Sequence, residues 1–354
     1  MSALKIENLN CSYQKNRVLE HLNLTLNDNE IVCLLGESGC GKTTLLRAVA
    51  GLQAQLSGNI TIRDKVLNEG THSIPPEQRK IGLIFQDYAL FPHLNVFDNV
   101  AFSLTNKLSK KDKQQRVNEV LNLVKLSDMK DRFPHQLSGG QQQRIAIARA
   151  LAYQPELMLL DEPFSNLDQH VRFQLIHEIR QLFKQHQISA LFVTHSKEEG
   201  FAFADRIALM QAGKIVQIDN PQKLYRQPNS AYIANFMGQA NYIDVVVSDK
   251  FSYQSCFGLL GSNRVIEQEV GKQLRLLLRP EHIEIKSDLN GVGIVKQVDF
   301  QGALQQITVE FLGKIFIVKH SNYSSDCLQF NVGDQVTLTI LNHDFVTFDD
   351  LKNT

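Results

Sequence analysis

Gly36-Glu37-Ser38-Gly39-Cys40-Gly41-Lys42-Thr43 reads as a complete phosphate-binding loop. It follows Ile31-Val32-Cys33-Leu34-Leu35, a continuous apolar run that suits a strand buried on both faces. It is followed by Thr44 to Ala50, which reads as a helix. Strand, glycine-rich loop and helix in this order predict an α/β fold with the loop at its centre. The glycines let the backbone fold tightly, so successive N–H groups turn inward toward phosphate oxygens. Lys42 adds a point charge near the terminal phosphates, the Thr43 hydroxyl is placed to hold Mg²⁺, and the helix N-terminus faces the anion. The loop residues Gly36, Glu37, Ser38, Gly39, Cys40, Gly41, Lys42 and Thr43, with Thr44, are therefore the candidate nucleotide-binding residues. Cys40, beside Lys42 and close to the helix N-terminus, is a candidate reactive thiol that a bound nucleotide should protect.

A second buried strand, Leu157-Met158-Leu159-Leu160, is entered through Pro155 and ends on Asp161-Glu162. Asp161 is placed to reach Mg²⁺, directly or through water. Glu162, one residue further, is the candidate base for an attacking water.

Composition is that of a soluble, reducing-compartment protein. At 354 residues the chain is too long for one ordinary domain, and two are expected. Lys plus Arg and Asp plus Glu number 37 each, so no net charge draws the chain to nucleic acid. Its five cysteines, Cys11, Cys33, Cys40, Cys256 and Cys327, have no paired metal spacing, which argues against a disulfide framework and offers no iron site. Met1-Ser2-Ala3-Leu4-Lys5 does not read as a signal peptide. No apolar stretch approaches the roughly 18 residues of a spanning helix.

Ala3 to Leu9 and Val18 to Leu26 read as strands, the second alternating with Leu22, Leu24 and Leu26 on one face. Asn59 to Ile62 and Lys65 to Leu67 read as a hairpin on that sheet. From about 95 to 155 the pattern is helical: Ser109 suits an N-cap, and Val117, Val120, Leu121 and Val124 form an apolar core stripe. Ile207 to Met210 and Ile215 to Ile218, joined at Gly213, close the first domain with a hairpin. A short helix, Ala231 to Met237, leads to Gly238. The expected domains are thus 1–237 and 238–354. The second carries short strands at Tyr242–Val247, Leu274–Leu278, Ile294–Val298, Gln306–Phe311, Ile315–Lys319 and Val336–Ile340, which suggests a small OB-like β-barrel. Such barrels can bind nucleic acid, but these strands lack a basic stripe interleaved with aromatics.

Together these strings resemble the ATP-binding subunits of ABC transporters. Ser138-Gly139-Gly140-Gln141, after Leu137, matches the family signature and is expected to cap a helix starting near Gln142, aimed at the γ-phosphate held by the opposite subunit. Gln86, after the apolar strand Ile81 to Phe85, matches the glutamine that touches Mg²⁺ or the attacking water. His195, after Ala190 to Thr194, matches the switch histidine that contacts the γ-phosphate. Asp168 matches the loop that crosses the dimer interface, and Tyr13 the aromatic that stacks on adenine. Arg279-Pro280-Glu281 resembles the turn in C-terminal TOBE-type domains of importer ATPases. The resemblance implies an ABC-type nucleotide-binding domain, with a mixed sheet and a helical subdomain, followed by a small all-β domain. It implies an ATPase using ATP and Mg²⁺, a homodimer, and integral membrane permease subunits as partners. A periplasmic substrate-binding protein would serve it indirectly, and nucleic acid is no partner. Its expected place is the cytoplasmic face of the bacterial inner membrane. Tyr88-Ala89-Leu90-Phe91-Pro92-His93-Leu94 matches the surface that receives a permease helix, with Phe91 and Leu94 expected in that groove.

The cargo reading rests on the same resemblance. Phe192 to Asp205, with Ser196 where sugar and polyamine importers commonly carry Asp, looks most like the ferric-iron import ATPases of Gram-negative bacteria. Pro163 to Asp168 and Leu224 to Pro228 point the same way. Polyamine, sulfate or thiosulfate and sugar importers stay open as alternatives. A soluble ABC-type ATPase of translation or DNA repair is a further alternative, although such chains usually carry two ATPase modules or a coiled-coil insertion. A small-molecule kinase would leave the signature string unexplained.

Overall fold

The computed structural model describes residues 2–13, 16–53, 56–69, 72–104, 108–322 and 330–349, and Cys327 lies outside them. The chain divides into two compact units, Met1–Gln222 and Lys223–Thr354.

The first unit opens with β1 (Ser2–Tyr13), β2 (Asn16–Asn27), β3 (Ile31–Gly36) and α1 (Lys42–Ala50). Next come β4 (Leu56–Ile62), β5 (Lys65–Glu69), β6 (His72–Ser73) and β7 (Ile81–Ile84). The helical stretch holds α2 (Val96–Ala101), α3 (Lys110–Leu123) and α4 (Gly139–Ala152). The unit closes with β8 (Leu157–Asp161), α5 (Gln169–Gln185), β9 (Ala190–Val193), α6 (Lys197–Phe203), β10 (Arg206–Gln211) and β11 (Lys214–Asp219).

Two sheets result. One is antiparallel, ordered β2-β1-β4-β5-β6; the other is ordered β11-β10-β3-β9-β8-β7, parallel from β10 to β7 with β11 antiparallel at its edge. The residues explain the difference. Every residue of β3 is buried, as its unbroken apolar run requires, whereas β2 alternates with Leu22, Leu24 and Leu26 inward and polar neighbours outward. The core lies between the sheets with α1 inside it, drawing Leu45, Leu46, Ala48 and Val49 against Leu4, Ile6, Leu22, Val32 and Leu159. Arg79 is buried against the end of α1, where its guanidinium donates to the carbonyls of Ala48 and Val49. It thereby satisfies acceptors that a helix C-terminus leaves open.

Ser109 caps α3 by accepting the Asp112 N–H, and Val117, Val120, Leu121 and Val124 are buried. The helix after the signature string starts at Gly139 rather than near Gln142. Ser138 is its N-cap, and the reciprocal bonds with Gln141 described below extend the helix back to the glycines.

The second unit takes in α7 (Pro221–Arg226), which straddles the division, and α8 (Ala231–Met237). Its strands are β12 (Asn241–Asp249), β13 (Ser252–Ser255), β14 (Gly258–Gly261), β15 (Gln273–Leu278), β16 (Ile283–Ser287), β17 (Gly293–Phe300), β18 (Leu304–Phe311), β19 (Lys314–Ser321), β20 (Gln335–Ile340) and β21 (Val346–Asp349). They form two five-stranded antiparallel sheets, β14-β13-β12-β15-β21 and β16-β20-β17-β18-β19, around one apolar core that includes Ile243, Leu276, Val295, Val309, Phe316 and Val336. Four strands, β13, β14, β16 and β21, are additional to the six read from the pattern; each is short and some carry more polar than apolar residues.

The division falls at 222/223, ahead of the boundary read at 237/238. The reason is Arg279. Its buried guanidinium donates to the carbonyls of Tyr225, Ala234, Gly238 and Gln239 and lies 4.2 Å from the Tyr225 ring centroid. Tyr225 in turn donates to Glu281 at 2.6 Å, so the Arg-Pro-Glu turn binds α8 and the last turn of α7 to the β domain.

Candidate active site

The strand order assembles the site. β3, β9, β8 and β7 lie side by side and parallel, so their carboxyl ends open on one edge of the sheet. β3 ends at Gly36, β8 at Asp161, β9 just before Thr194-His195, and β7 just before Phe85-Gln86. Three chemical strings and a glutamine, remote in sequence, therefore meet at one edge.

The phosphate loop needs its glycines. Gly36 has φ +154°, and a Cβ there would sit 2.3 Å from the Met210 carbonyl oxygen. Gly41, the N-cap of α1, has φ +106°, and a Cβ there would lie 2.9 Å from the Leu19 side chain. Lys42 is folded back into the loop: its ammonium donates to the carbonyls of Gly36 and Glu37, both at 2.8 Å, and lies 3.8 Å from the Cys40 sulfur. Cys40 is buried at 8% exposure, so the sulfur is packed into the loop rather than offered to solvent. Glu37, Ser38 and Gly39 form the exposed crest.

Thr43 donates its hydroxyl to Asp161 Oδ1 at 3.5 Å. Burial pushes the Asp161 carboxyl above its ordinary value and the neighbouring Glu162 carboxylate adds to the effect, against Arg47, the Thr43 hydroxyl and Lys42. A hydroxyl and a carboxylate oxygen this close are hard donors that fit Mg²⁺, a cation that keeps several of its waters and takes few protein ligands. Among the described residues no group of three or more His, Cys, Asp or Glu comes together as a metal cage.

Glu162 has φ +46°, an uncommon backbone for a residue with a side chain. Its N–H donates to the Val193 carbonyl at 3.0 Å, and its carbonyl accepts from the Ser165 hydroxyl at 2.9 Å. The turn aims the carboxylate at His195, whose Nδ1 is 3.2 Å from Glu162 Oε2. The His195 side chain is 67% exposed and that of Glu162 24%, so the pair forms an open rim above a protected acid.

Gln86 is exposed and tied to the site through its carbonyl, which accepts from Asn166 Nδ2 at 2.9 Å. Asp168 is exposed at the N-cap of α5 and makes no capping bond. Tyr13 ends β1 opposite Asn16, and its side chain lies outside the described residues. Ser138 Oγ accepts the Gln141 N–H at 3.4 Å, and Gln141 Oε1 accepts the Ser138 N–H at 3.0 Å. This capping box presents the dipole of a 14-residue helix at Gly139 and Gly140. A Cβ on Gly139 would lie 3.4 Å from Leu167, so the signature string packs on the loop that carries Asp168.

Several contributing residues had no legible signal. Arg149 of α4 donates to the carbonyls of Tyr88 and Ala89 at 2.8 and 2.6 Å, holding both at positive φ. The buried Asn99 side chain accepts the Phe91 N–H at 2.9 Å and donates to the Leu94 carbonyl at 2.9 Å. Phe91 and Leu94 are accordingly half-buried, while Phe102, whose ring centroid is 4.3 Å from that of Phe91, is 63% exposed.

A glycine-rich loop at a helix N-terminus, a helix capped by Ser138, and an Asp161-Glu162 pair beside His195 together fit one class, the P-loop ATPases. The ABC transporter family pattern matches residues 19–165 and the TOBE domain pattern residues 276–348. The chain belongs to the ATP-binding proteins of ABC importers. It is 42% identical over 317 residues to a Haemophilus influenzae protein named Fe(3+) ions import ATP-binding protein FbpC 2, spanning 88% of each chain. It is 38% identical over 353 residues to the spermidine/putrescine import ATP-binding protein PotA of Aggregatibacter actinomycetemcomitans, spanning 95% of this chain and 93% of that one. Two solved structures are similar, each at 29% identity. One is the dimeric ATP-binding cassette MJ0796 bound to ADP and Pi, with TM-score 0.53 over 61% of this chain and 98% of that one. The other is cbiO1 of Clostridium perfringens, part of the transporter complex cbiONQ, with TM-score 0.58 over 64% of this chain and 91% of that one. The protein is thus an ATP-binding ATPase subunit of an importer, and no helix among its described residues is long and apolar enough to cross a membrane.

Proposed function

We propose that this importer ATPase drives ferric-iron uptake, as a homodimer bound to permease subunits on the cytoplasmic face of the inner membrane. The observation that carries the chemistry is the meeting of Gly36–Thr43, Asp161-Glu162, Gln86 and His195 at adjacent carboxyl ends of one parallel sheet. Backbone N–H groups of Gly36 to Thr44 and the Lys42 ammonium bind the phosphates, and Tyr13 stacks on the adenine. Thr43, Asp161 and Gln86 would hold Mg²⁺, which supplies charge neutralisation at the transferring phosphoryl group. Glu162 takes the proton of the attacking water, and His195, beside it, holds the γ-phosphate. Ser138, Gly139, Gly140 and Gln141 serve the nucleotide of the opposite subunit through the N-terminus of α4, with Asp168 at the contact between copies. The exposed Phe102, beside the braced Phe91 and Leu94, receives the permease.

The cargo assignment is supported by the 42% identity to a ferric-iron import protein and by Ser196 after the switch histidine. The polyamine reading keeps one observation in its favour: the PotA of Aggregatibacter actinomycetemcomitans aligns over 95% of the chain, against 88% for the ferric-iron relative. Uptake in a deletion strain separates the two. Radiolabelled Fe³⁺ uptake should collapse and return on complementation. If Fe³⁺ enters at the wild-type rate while spermidine or sulfate uptake collapses, the iron assignment is wrong and the ATPase stands.

A further inference from the structure

The loop before α5 is bonded to more of the site than Asp168 alone would need. Ser165 holds the Glu162 carbonyl, Asn166 holds the Gln86 carbonyl, and Leu167 lies against Gly139. A further connection leads to His195. Arg172, in the first turn of α5, donates Nη2–H to the Leu167 carbonyl at 2.8 Å, while its Nη1 lies 3.6 Å from Glu199 Oε1. Glu199, on α6, is 3% exposed, a carboxylate that is costly to bury without partners. Its other oxygen, Oε2, accepts the Thr194 hydroxyl at 2.6 Å. Thr194 Oγ1 accepts the Ser196 N–H at 3.0 Å, and Ser196 Oγ accepts the Glu199 N–H at 3.2 Å. Both chain neighbours of His195 are therefore fixed through Glu199, while the imidazole itself is exposed and touches Glu162. The floor beneath is an aromatic cluster: Phe203 of α6 packs edge-on or tilted against Phe164, Phe183 and Phe192, at ring-centroid distances of 5.3, 5.8 and 4.9 Å.

We infer that Arg172 and Glu199 are positioning residues, a latch that couples the Asp168 loop to the orientation of His195. Neither side chain is placed at the phosphates. When the 165–168 loop shifts at Leu167, the guanidinium carries that shift to Glu199, and Glu199 carries it to Thr194 and Ser196 on either side of the switch histidine. Contact between subunits at Asp168 would then set the hydrolytic geometry as well as the affinity of the subunits for each other.

The inference rests on the assignment of Glu162 and His195 to hydrolysis, so both are controls. The full-length protein is assayed for kcat and for equilibrium Mg-ATP binding as wild type, Arg172→Ala, Glu199→Gln, the double variant, Glu162→Gln and His195→Ala. Each latch variant should lower kcat about tenfold, with nucleotide affinity within about twofold, and the double variant should be no slower than the slower single, as for two residues in one network. Arg172 is only partly buried, so Arg172→Ala keeps the test decisive even if Glu199→Gln fails to fold. A wild-type kcat in Arg172→Ala, additive losses in the double variant, or nucleotide affinity falling in step with kcat would each overturn the latch while the controls stay inactive. Normal turnover in both controls would instead remove the hydrolytic assignment, and the latch with it.

Discussion

Glu162→Gln isolates the proposed base better than any other substitution in this chain. The two side chains have the same shape, and the unusual backbone at φ +46° is held by main-chain bonds that the change leaves alone, from the Glu162 N–H to Val193 and from Ser165 to the Glu162 carbonyl. The amide oxygen can still accept from His195 at the 3.2 Å now separating the pair. The negative charge and the basicity are what disappear. A positioned general base contributes about 10²–10⁴ in rate. Turnover should therefore fall at least about 10²-fold, equivalent to about 2.7 kcal/mol of barrier at 1.36 kcal/mol per decade. Affinity for Mg-ATP should hold, because removing the charge also removes a repulsion on Asp161. The variant should accumulate as an ATP-bound dimer. Steady-state phosphate release gives the rate, and gel filtration with and without Mg-ATP gives the oligomer. A monomeric variant turning over at close to the wild-type rate would refute the assignment of Glu162 as base.

Asp161→Asn should raise the melting temperature of the nucleotide-free protein at pH 7 while abolishing Mg-dependent hydrolysis. The folded-state carboxyl lies above its ordinary value, so the folded protein binds that proton more tightly than the unfolded chain, and stability falls as pH rises through the folded value. The gap between variant and wild type should accordingly close below the ordinary carboxylate range, and an equal or lower melting temperature at pH 7 would contradict this. At Cys40, burial against the loop predicts slow alkylation that Mg-ATP slows further, followed by peptide mass spectrometry; equal rates with and without nucleotide would argue against any link to the site. Phe102→Ala should leave basal ATPase within about twofold, since a surface side chain carries little stability, and should reduce transport. Loss of basal hydrolysis would show that the aromatic face belongs to the catalytic unit itself.

Much of the candidate site was legible because its motifs are short and contiguous. A phosphate loop works through consecutive backbone N–H groups, and a capping box spans one helical turn, so Gly36–Thr43 and Ser138–Gln141 carry their chemistry in their own spacing. The buried strands were equally plain, because a strand covered on both faces must be apolar throughout. Small strands such as Ser252–Ser255 were not, because a mixed polar segment gains its place from pairing partners rather than from its own pattern.

The sequence alone determined the fold class and the family, and it pointed to the candidate nucleotide loop and acidic pair. Each follows from local residue chemistry and order along the chain. Only the tertiary structure decided which of these meet and what joins them. The parallel order β3-β9-β8-β7 is not the order of the chain, and it is this order that sets His195 beside Glu162 and Thr43 beside Asp161. The bonds from Arg172 to Leu167 and Glu199, from Asn166 to Gln86, and from Arg279 to the end of α8 leave no periodicity or spacing to read. They are contacts between separate segments, formed only because burying the apolar faces of sheet and helices brings those polar groups together, where each must find a partner or bear the cost of lost water.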